Sequence, residues 1–345
     1  MKFGDEYIIK ADKAAATLYG LALGDALGMP SQTLSIEEIR RQYGSIEDFI
    51  SPYSGHPVSE GLNAAQVTDD TEQALLLARR LINCPSKFDA SAWARDLLSW
   101  EENVKSRGLL DILGPSSKAA LQAIRQGVDP GEAAKNGTTN GAAMRIAPIG
   151  IMFSESNIDA LVDAVEETCR VTHNTGEAIA AAAAVAGYIS SRISGSDDDQ
   201  AFEFALLAAK LGQQRGHPNG VSNLADLIEQ AVDLAESQIK PDAFSEIVGT
   251  SVDSCQSVPA AFGIMRMSGG NIWQTGLIAA NLGDDTDTIG AIACSMCGAG
   301  SGKKSIPADK LERLLSANDL EIDSISKELV NLRLCKPSEQ GRVVA

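Results

Sequence analysis

Histidine is scarce in this sequence, and its cysteines are scattered. The 345 residues include three histidines, at positions 56, 173 and 217, and six cysteines, of which only Cys294 and Cys297 form a CxxC pair. Zinc sites draw on clustered cysteine and histidine, so this distribution argues against zinc. We expect reduced thiols, with Cys294 and Cys297 as neighbours on the buried side of a helix.

Aromatic residues, basic residues and long apolar runs are also in short supply. Aromatics make up 5% of a chain rich in alanine, which favours packed helices. Lysine and arginine number 29 against 46 acids, and the net charge of −17 would repel nucleic-acid phosphates. The longest apolar run, AIAAAAAVAGYI at 178–189, is too short to span a bilayer.

The start of the chain, MKFGDEYIIKADK, lacks the apolar core of a secretory signal. We therefore expect a cytoplasmic protein that binds neither nucleic acid nor membrane, and no pattern in the sequence implies a protein partner.

Helical periodicity runs through the chain, whereas the alternation typical of strands is nearly absent. The sequence predicts an all-α fold with a dozen or more helices in a single domain, residues 1–345. An irregular stretch at 30–66 has the length of a functional lid. The predicted helices cover residues 11–28, 69–82, 88–104, 116–126, 157–170, 176–191, 199–211, 222–236, 243–250, 256–267, 271–280, 287–298 and 307–315.

Two acidic segments resemble each other, and each lies where a loop enters an apolar helix. They are VTDDTEQALLLARRL (67–81) and GDDTDTIGAIA (283–293), and both contain Asp-Asp-Thr. Helix capping is the simpler interpretation of the first segment, because Asp69 and Glu72 have capping-box spacing and Thr68 can also cap. One cap needs only one such residue, so the crowding of acids is unexplained.

The second segment crowds Asp284, Asp285 and Asp287 into one turn, where their charges repel unless something neutralises them. Two such segments favour a divided metal site. Carboxylate and hydroxyl oxygens suit Mg²⁺, Mn²⁺ or Ca²⁺. Clusters facing each other across a cleft can hold two ions about 3.5–4 Å apart, which orient substrate oxygens and activate a water.

Three further segments accompany the acids. GLALGDALGMP (20–30) spaces its glycines four apart, as in a helix-packing seam, and Asp25 is either a buried hydrogen-bonded carboxylate or a support for the site. TTNGAAMRIAPIG (138–150) is either a loop before a helix broken near Pro148 or an anion cradle, with Arg145 in an apolar helix start. VTHNTGEAIAAAAA (171–184) places His173, more often a structural histidine, before an alanine helix.

Taken together, these segments resemble the ADP-ribosylglycohydrolase family. The matching pieces occur in family order and span residues 20 to 293. They are GLALGDALGMP, VTDDTEQALL, NGAAMRIAPIG, THNTGEAI and GDDTDTIGAIA. The resemblance implies an all-α fold with two Mg²⁺ or Mn²⁺ ions at the base of a cleft.

The resemblance also assigns roles to residues by matching position. Asp25 would stand behind the metal ligands and orient them. The implied metal ligands are Thr68, Asp69, Asp70, Asp285, Asp287 and Thr288. The implied substrate-binding residues are Asn140, Gly141, Ala142, Met144 and His173.

The activity implied by the resemblance is hydrolysis at C1″ of an ADP-ribosyl group attached to a protein side chain or to a related compound. Carboxylates would stabilise an oxocarbenium-like transition state, as in glycosidases. Asp69 or Asp285 would accept the proton, and Glu60 is the best match to a catalytic glutamate that some members use.

This sequence departs from the family pattern in two places. Asp284 replaces a glycine beside the metal ligands, and Thr175-Gly176 stands where a His-Pro pair is common. Three alternatives stay open: a small-molecule ribosidase or nucleoside hydrolase with the same metals, a non-catalytic crystallin-like structural or binding protein, and a phosphohydrolase. The last is disfavoured, because no cluster of basic residues accompanies the acids.

Overall fold

A computed structural model describes residues 3–108, 113–218 and 223–335, and these residues are all-α. They form helices, one short 3-10 turn and three isolated β-bridges, without a strand, so the predicted fold class is confirmed. In chain order the helices are α1 (Phe3–Gly28), α2 (Ile36–Tyr43), α3 (Asp69–Asn83), α4 (Ala90–Ser106), α5 (Pro115–Arg125), α6 (Pro130–Ala133), α7 (Gly141–Met144), α8 (Ala147–Met152), α9 (Ile158–Cys169), α10 (Gly176–Ser194), α11 (Asp198–Gly212), α12 (Leu224–Glu236), α13 (Pro241–Val248), α14 (Ser254–Met267), α15 (Ile272–Ala280), α16 (Thr286–Ser301), α17 (Ala308–Ala317) and α18 (Ile322–Cys335).

The predicted helices all appear, although their ends differ by a few residues. The largest difference is in α1, which begins at Phe3 instead of residue 11. Residue 222, the predicted start of α12, lies outside the described ranges. Five observed helices lie outside the predicted ranges: α2, inside the stretch expected to be irregular, the short α6, α7 and α8, and α18. Eight residues with one buried side chain, Ile39, give α2 too little periodicity to recognise.

α1 and α16 pack closely through glycines, as the four-residue spacing predicts. A Cβ on Gly24 would lie 2.0 Å from the carbonyl oxygen of Gly290 in α16. Gly20 and Gly28 approach the α16 backbone in the same way, with corresponding distances of 2.2 and 2.3 Å. No side chain fits between these backbones, so the seam fixes the start of α16 against the end of α1.

The remaining packing gathers several loops at one end of the helices. The alanine-rich α10 is buried along most of its length, and its neighbours include α8, α11, α14 and α16. The CxxC pair, Cys294 and Cys297, lies buried on α16 with free thiols, as predicted. Isolated β-bridges join the loops before α2, α7, α10, α12, α14 and α16; they pair Leu34 with Asp284, Thr139 with Asp253 and Thr175 with His217.

None of the helices in the described ranges combines the length and the apolar character needed to cross a bilayer.

Candidate active site

A cavity of about 240 Å³ lies beside the N-terminal ends of α3 and α16. Asp69 reaches it from α3, and Asp285, Asp287 and Thr288 reach it from the start of α16. The two acidic segments, 215 residues apart at their first aspartates (284 − 69), therefore share one cavity. Its other described lining residues are Gln32, Thr33, Val58, Leu113, Gly114, Pro115, Ser117, Lys118, Thr139, Asn140, Gly141, Met144 and Val252.

Asp25, from α1, caps the N-terminus of α3. Its carboxylate accepts hydrogen bonds from the backbone N–H and hydroxyl of Thr68, at 3.0 and 2.8 Å, and from those of Thr71, at 3.1 and 2.5 Å. Burial raises the pKa of Asp25 to about 6, and these hydrogen bonds oppose the rise. Asp25 is thus both a buried hydrogen-bonded carboxylate and a support for the first acidic segment.

The local capping interpretation of α3 is wrong. Thr68 flanks the helix but makes no side-chain cap bond, because its hydroxyl is directed to Asp25. Glu72 turns away to accept a hydrogen bond from the Trp100 indole at 2.7 Å and a two-pronged ion pair from Arg107. The acids of this segment are therefore not used to cap their own helix.

Asp69 and Asp70 are buried at the start of α3, with relative exposures of 7% and 1%. Burial raises the pKa of both carboxyls well above the ordinary value. Neighbouring negative charges add to the rise: Asp285 acts on Asp69, and Asp287 acts on Asp70. The two acidic segments thus lie close enough to repel each other.

The second segment is held from the opposite side by Asn140. The Asn140 amide donates to an Asp285 carboxylate oxygen at 2.5 Å and to the Ser257 hydroxyl at 2.9 Å. Burial raises the pKa of Asp285 to about 6, and the Asn140 hydrogen bond opposes it. Burial and the charge of Asp285 also raise the pKa of Asp287 well above its usual range.

These donors suit a hard divalent cation in their chemistry. Among the residues with described positions, no three histidine, cysteine, aspartate or glutamate side chains already surround a common metal position. The donors are nevertheless all oxygens, and buried Asp70 Oδ1 accepts no hydrogen bond. A buried carboxylate oxygen without a donor, among carboxylates that repel one another, is satisfied by a cation. The residues present therefore fit the predicted metals.

Of the predicted substrate-binding residues, Asn140, Gly141 and Met144 line the cavity. Ala142 and His173 are buried behind it, with 2% and 0% of their surface exposed. His173 packs directly under the backbone at Gly141, where an added Cβ would lie 2.8 Å from the imidazole Cε1. Gly141 thus allows the imidazole to support the cavity wall from below.

Glu60 is not brought into the acidic cluster. It is exposed in the loop before α3, and its carboxylate accepts a hydrogen bond from the Gly55 backbone N–H at 3.0 Å. The nearest part of that loop to line the cavity is Val58. A catalytic role for Glu60 therefore stays a prediction from the sequence alone.

Two glutamines at the site were not predicted from the sequence. Gln73 is fully buried one turn after Asp69 and donates to an Asp69 carboxylate oxygen at 3.2 Å. That four-residue helical spacing is the signal that could have revealed it. Gln32 lines the cavity and donates to the Ser59 hydroxyl at 2.8 Å, a contact between loops that left no local pattern.

Asp284 joins the second segment to the loop before α2. It is exposed and has a left-handed backbone, with φ of 59°, and it faces Thr33, whose φ is 66°. The Thr33 N–H donates to the Asp284 carbonyl at 2.6 Å, and the Asp284 N–H donates to the Leu34 carbonyl at 2.8 Å. A β-branched residue is strained in this conformation, so the bridge must hold Thr33 at the cavity.

The chain is similar in sequence to known proteins. The sequence profile of the ADP-ribosylglycohydrolase family matches residues 7–338. An uncharacterized protein, YegU of Escherichia coli, is 33% identical over 330 residues, covering 94% of this chain and 98% of its own. The ADP-ribosylarginine hydrolase Tri1 of Pseudomonas putida is 28% identical, covering 92% and 78%. Human ADP-ribosylhydrolase ARH3 is 27% identical, covering 84% and 85%.

A solved structure shows the same fold. It is described as an ADP-ribosylglycohydrolase-related protein complex and superposes with a TM-score of 0.67 at 23% sequence identity. The superposition covers 94% of this chain and 99% of the other. At this level of identity the likeness concerns the course of the helices and not the chemistry of the cavity.

Proposed function

The chain belongs to the ADP-ribosylglycohydrolase family of glycoside hydrolases, and from this premise we propose that it hydrolyses the C1″ glycosidic bond of an ADP-ribosyl group on a protein side chain or a related compound. Family membership supports hydrolysis of an ADP-ribosyl linkage. Relatives named for ADP-ribosylarginine and for ADP-ribosyl-dinitrogen reductase support a protein-borne substrate.

The observation that carries this proposal is the meeting of the two acidic segments at one cavity. Asp69, Asp285 and Asp287 all line it; Asp69 and Asp287 are buried and Asp285 is half-buried, and burying such carboxylates together is costly unless it serves binding or catalysis. A purely structural protein gains no stability from retaining carboxylates that repel one another. The proposal of catalysis therefore has support beyond family membership.

We propose that two Mg²⁺ or Mn²⁺ ions bind at this cluster. The residues that would hold them are Thr68, Asp69, Asp70, Asp285, Asp287 and Thr288. When bound, such ions supply positive charge that fixes substrate hydroxyls and acidifies a neighbouring water. Asp25 prepares the site, because it takes the hydroxyl hydrogen of Thr68 and thereby leaves the oxygen lone pairs available to a cation.

The chain's own residues would do the remaining chemistry. Asp69 or Asp285 accepts a proton as a water oxygen bonds to C1″. The bond from C1″ to the side-chain nitrogen or oxygen breaks, its electron pair leaves with that atom, and the atom takes up the proton that the carboxylate accepted. The neighbouring carboxylates stabilise the positive charge that develops on the ribose ring. Asn140 keeps Asp285 in place during this step through its short hydrogen bond.

The proposal is tested by offering the full-length protein several substrates with Mg²⁺ or Mn²⁺. These are an ADP-ribosylarginine peptide, an ADP-ribosylserine peptide and a panel of nucleosides, and the readout is release of ADP-ribose or free base. We expect release of ADP-ribose from at least one peptide, and loss of this release in Asp285→Ala. Asp233→Ala, at an exposed acid on α12, is the matched control and keeps full activity.

Three results would contradict the proposal. Turnover of nucleosides alone would identify a small-molecule ribosidase. No turnover together with no metal binding would identify a non-catalytic protein. Unchanged hydrolysis in Asp285→Ala would show that the acidic cluster takes no part in the reaction.

A further inference from the structure

Arg145 is the least exposed arginine in the described core, and its sequence context left two roles open, in an apolar helix start or in an anion cradle. Only 1% of its surface is exposed, and it lies over the Trp93 ring, with its central carbon 5.6 Å from the ring centroid. Within the described residues it forms no ion pair with a carboxylate at 4 Å or less. Arg145 does not line the cavity, so it is not part of an anion cradle there.

The guanidinium is instead held by two neutral partners. One terminal nitrogen donates to the side-chain oxygen of Gln73 at 2.6 Å, and the other donates to the hydroxyl of Thr172 at 2.5 Å. Burial lowers the pKa of Arg145 to about 10, so the guanidinium stays charged at neutral pH. A buried charge with no ion pair within 4 Å is expensive, and the negative charge of Asp69 acts on it only from farther away, so a structural role alone does not explain it.

We propose that Arg145 is a positioning residue that orients two hydrogen-bonded chains, one ending at Asp69 in the acidic cluster and the other at Thr139 on the cavity wall. The proposal rests on the proposed function only in that these two ends belong to its active site. The direction in which each hydrogen is donated fixes both chains.

The first chain is fixed by the chemistry of arginine, which donates hydrogen bonds and never accepts them. The oxygen of the Gln73 amide must therefore face Arg145. The amide nitrogen is left to face Asp69, where it donates to Oδ2 at 3.2 Å. A reversed amide would place two donors against each other at Arg145 and an oxygen against the Asp69 carboxylate.

The second chain runs from Thr172 to the cavity. Because Thr172 accepts from Arg145, its own hydrogen is available to His173 Nδ1, 2.8 Å away. Burial, reinforced by the charge of Arg145, holds the pKa of His173 well below its usual value, so the imidazole is neutral. A neutral imidazole that accepts at Nδ1 carries its hydrogen on Nε2.

His173 Nε2 lies 3.0 Å from the Thr139 hydroxyl and donates to it. The hydroxyl hydrogen of Thr139 is then free to be donated into the cavity that Thr139 lines. Thr139 would thus present a hydrogen-bond donor to an oxygen of the substrate, whereas the acids of the cavity present acceptors. The alternative tautomer, with hydrogen on Nδ1, would leave the Thr172 hydrogen without this acceptor.

The direct test is the tautomer of His173, read from the ¹⁵N chemical shifts of imidazole nitrogens in protein labelled at histidine. The protein has three histidines, so variants of His56 and His217 assign the signals. We expect a single tautomer with hydrogen on Nε2 in the wild type, and a mixture in Thr172→Val and Arg145→Met. Thr168→Val is the control, since Thr168 is equally buried but donates within its own helix.

Kinetics separate the two chains. Gln73→Met should lower kcat about tenfold with KM within about twofold, and Thr172→Val should raise KM about tenfold with kcat within about twofold, since each loses about one hydrogen bond's contribution. In an Arg145→Met background, adding either change should have little further effect. If Arg145→Met fails to fold, the two single variants still decide the matter.

Hydrogen on Nδ1 in the wild type, or an unchanged tautomer in Thr172→Val, would overturn the proposal. Additive effects in the Arg145→Met background would also overturn it, because they would show two independent structural contacts. The tautomer is measured without turnover. A protein inactive on every ADP-ribosyl substrate would therefore contradict the proposed function and leave this test intact.

Discussion

The two acidic segments share the letters Asp-Asp-Thr, yet they enter their helices in different registers. In the first, Thr68 flanks the start of α3, and Asp70 is the second helical residue. In the second, Asp285 flanks the start of α16, and Asp287 is the second helical residue. If the two segments are aligned by their shared Asp-Asp-Thr motif, Asp70 corresponds to Asp285. If they are aligned by position from the helix start, Asp70 corresponds to Asp287, two residues later.

The alignment by position from the helix start explains the raised pKa values of the acids better than the alignment by the Asp-Asp-Thr motif does. Asp70 and Asp287 are both almost fully buried, and burial raises the pKa of each well above its ordinary value. Asp287 is the acid whose charge contributes most to the raised pKa of Asp70. Asp284, the first acid of the second segment, is exposed and forms a bridge to another loop. Position relative to the helix start therefore assigns the role of each acid.

The largest effect should come from the acids that correspond by helix position. Asp70→Ala and Asp287→Ala should each lower kcat/KM on the order of 10²–10³-fold, the scale of removing one preorganised group at a reacting centre. Each should also weaken Mn²⁺ binding measured by isothermal titration calorimetry. The metal-free variants should be no less stable to urea than the wild type, because a buried repulsion is relieved.

Asp233→Ala serves as the control for these two variants, since it removes an exposed acid from α12. If only one of Asp70→Ala and Asp287→Ala reduced activity and metal binding, their correspondence would be wrong.

The next effect concerns the seam that holds both segments in place. Gly24→Ala would put a Cβ about 2.0 Å from the Gly290 carbonyl oxygen, so α1 and α16 must separate. Overpacking of this kind against rigid backbone should cost about 3 kcal/mol in the free energy of unfolding. Urea denaturation followed by circular dichroism measures the loss.

Gly4→Ala is the matched control in the same helix, because a Cβ at Gly4 meets nothing within 4 Å. This exchange should be neutral or stabilising by up to about 1 kcal/mol, as expected for glycine replaced in a helix. Equal losses in both variants would show that the seam is not the cause.

Much of this fold was predictable because helices of ordinary length carry a period that a single sequence displays. The glycine seam was also predictable, since its four-residue spacing follows the helix geometry. α2 was missed because a helix of two turns shows too little of that period. The crowding of acids revealed the site, since charges at such spacing need a neutralising partner.

The supports of the site were harder to predict than its acids. Capping of α3 by Asp25 joins residues 43 positions apart in sequence, so no local pattern announces it. Arg145 was noticed, but its partners, Gln73 and Thr172, come from α3 and the loop before α10. Such contacts depend on how helices pack, which the period of each helix alone does not specify.

Asp25 and Asp285 offer the next comparison, because one supports a segment and the other belongs to it. Asp25→Asn replaces an oxygen that accepts buried donors with a donor, whichever way the amide turns. It should cost about 2 kcal/mol in the free energy of unfolding, since buried donors at Thr68 or Thr71 lose their acceptor. Asp285→Asn should lower kcat/KM by up to about 10²-fold without this loss of stability. Urea titrations of the two metal-free variants measure this difference in stability. An equal loss of stability in both would show that Asp25 and Asp285 do not differ in their structural role.

The smallest effect should come from Asp284, the acid without a counterpart at the start of α3. Its left-handed backbone is tolerated by aspartate and costs more for alanine, so Asp284→Ala should lose about 1 kcal/mol of stability. Asp284→Gly relieves that strain, but it loses the 3.2 Å hydrogen bond from the Thr250 hydroxyl and increases the conformational entropy of the unfolded chain. Its effect on the free energy of unfolding should therefore be close to zero.

Both variants should keep kcat/KM within about twofold, because the bridge to the loop before α2 uses the backbone of Asp284. Urea unfolding and steady-state kinetics measure these effects together. A loss of activity in Asp284→Ala as large as in Asp285→Ala would favour the alignment of the two segments by their Asp-Asp-Thr motif, since both acids of the shared motif would then act in the site.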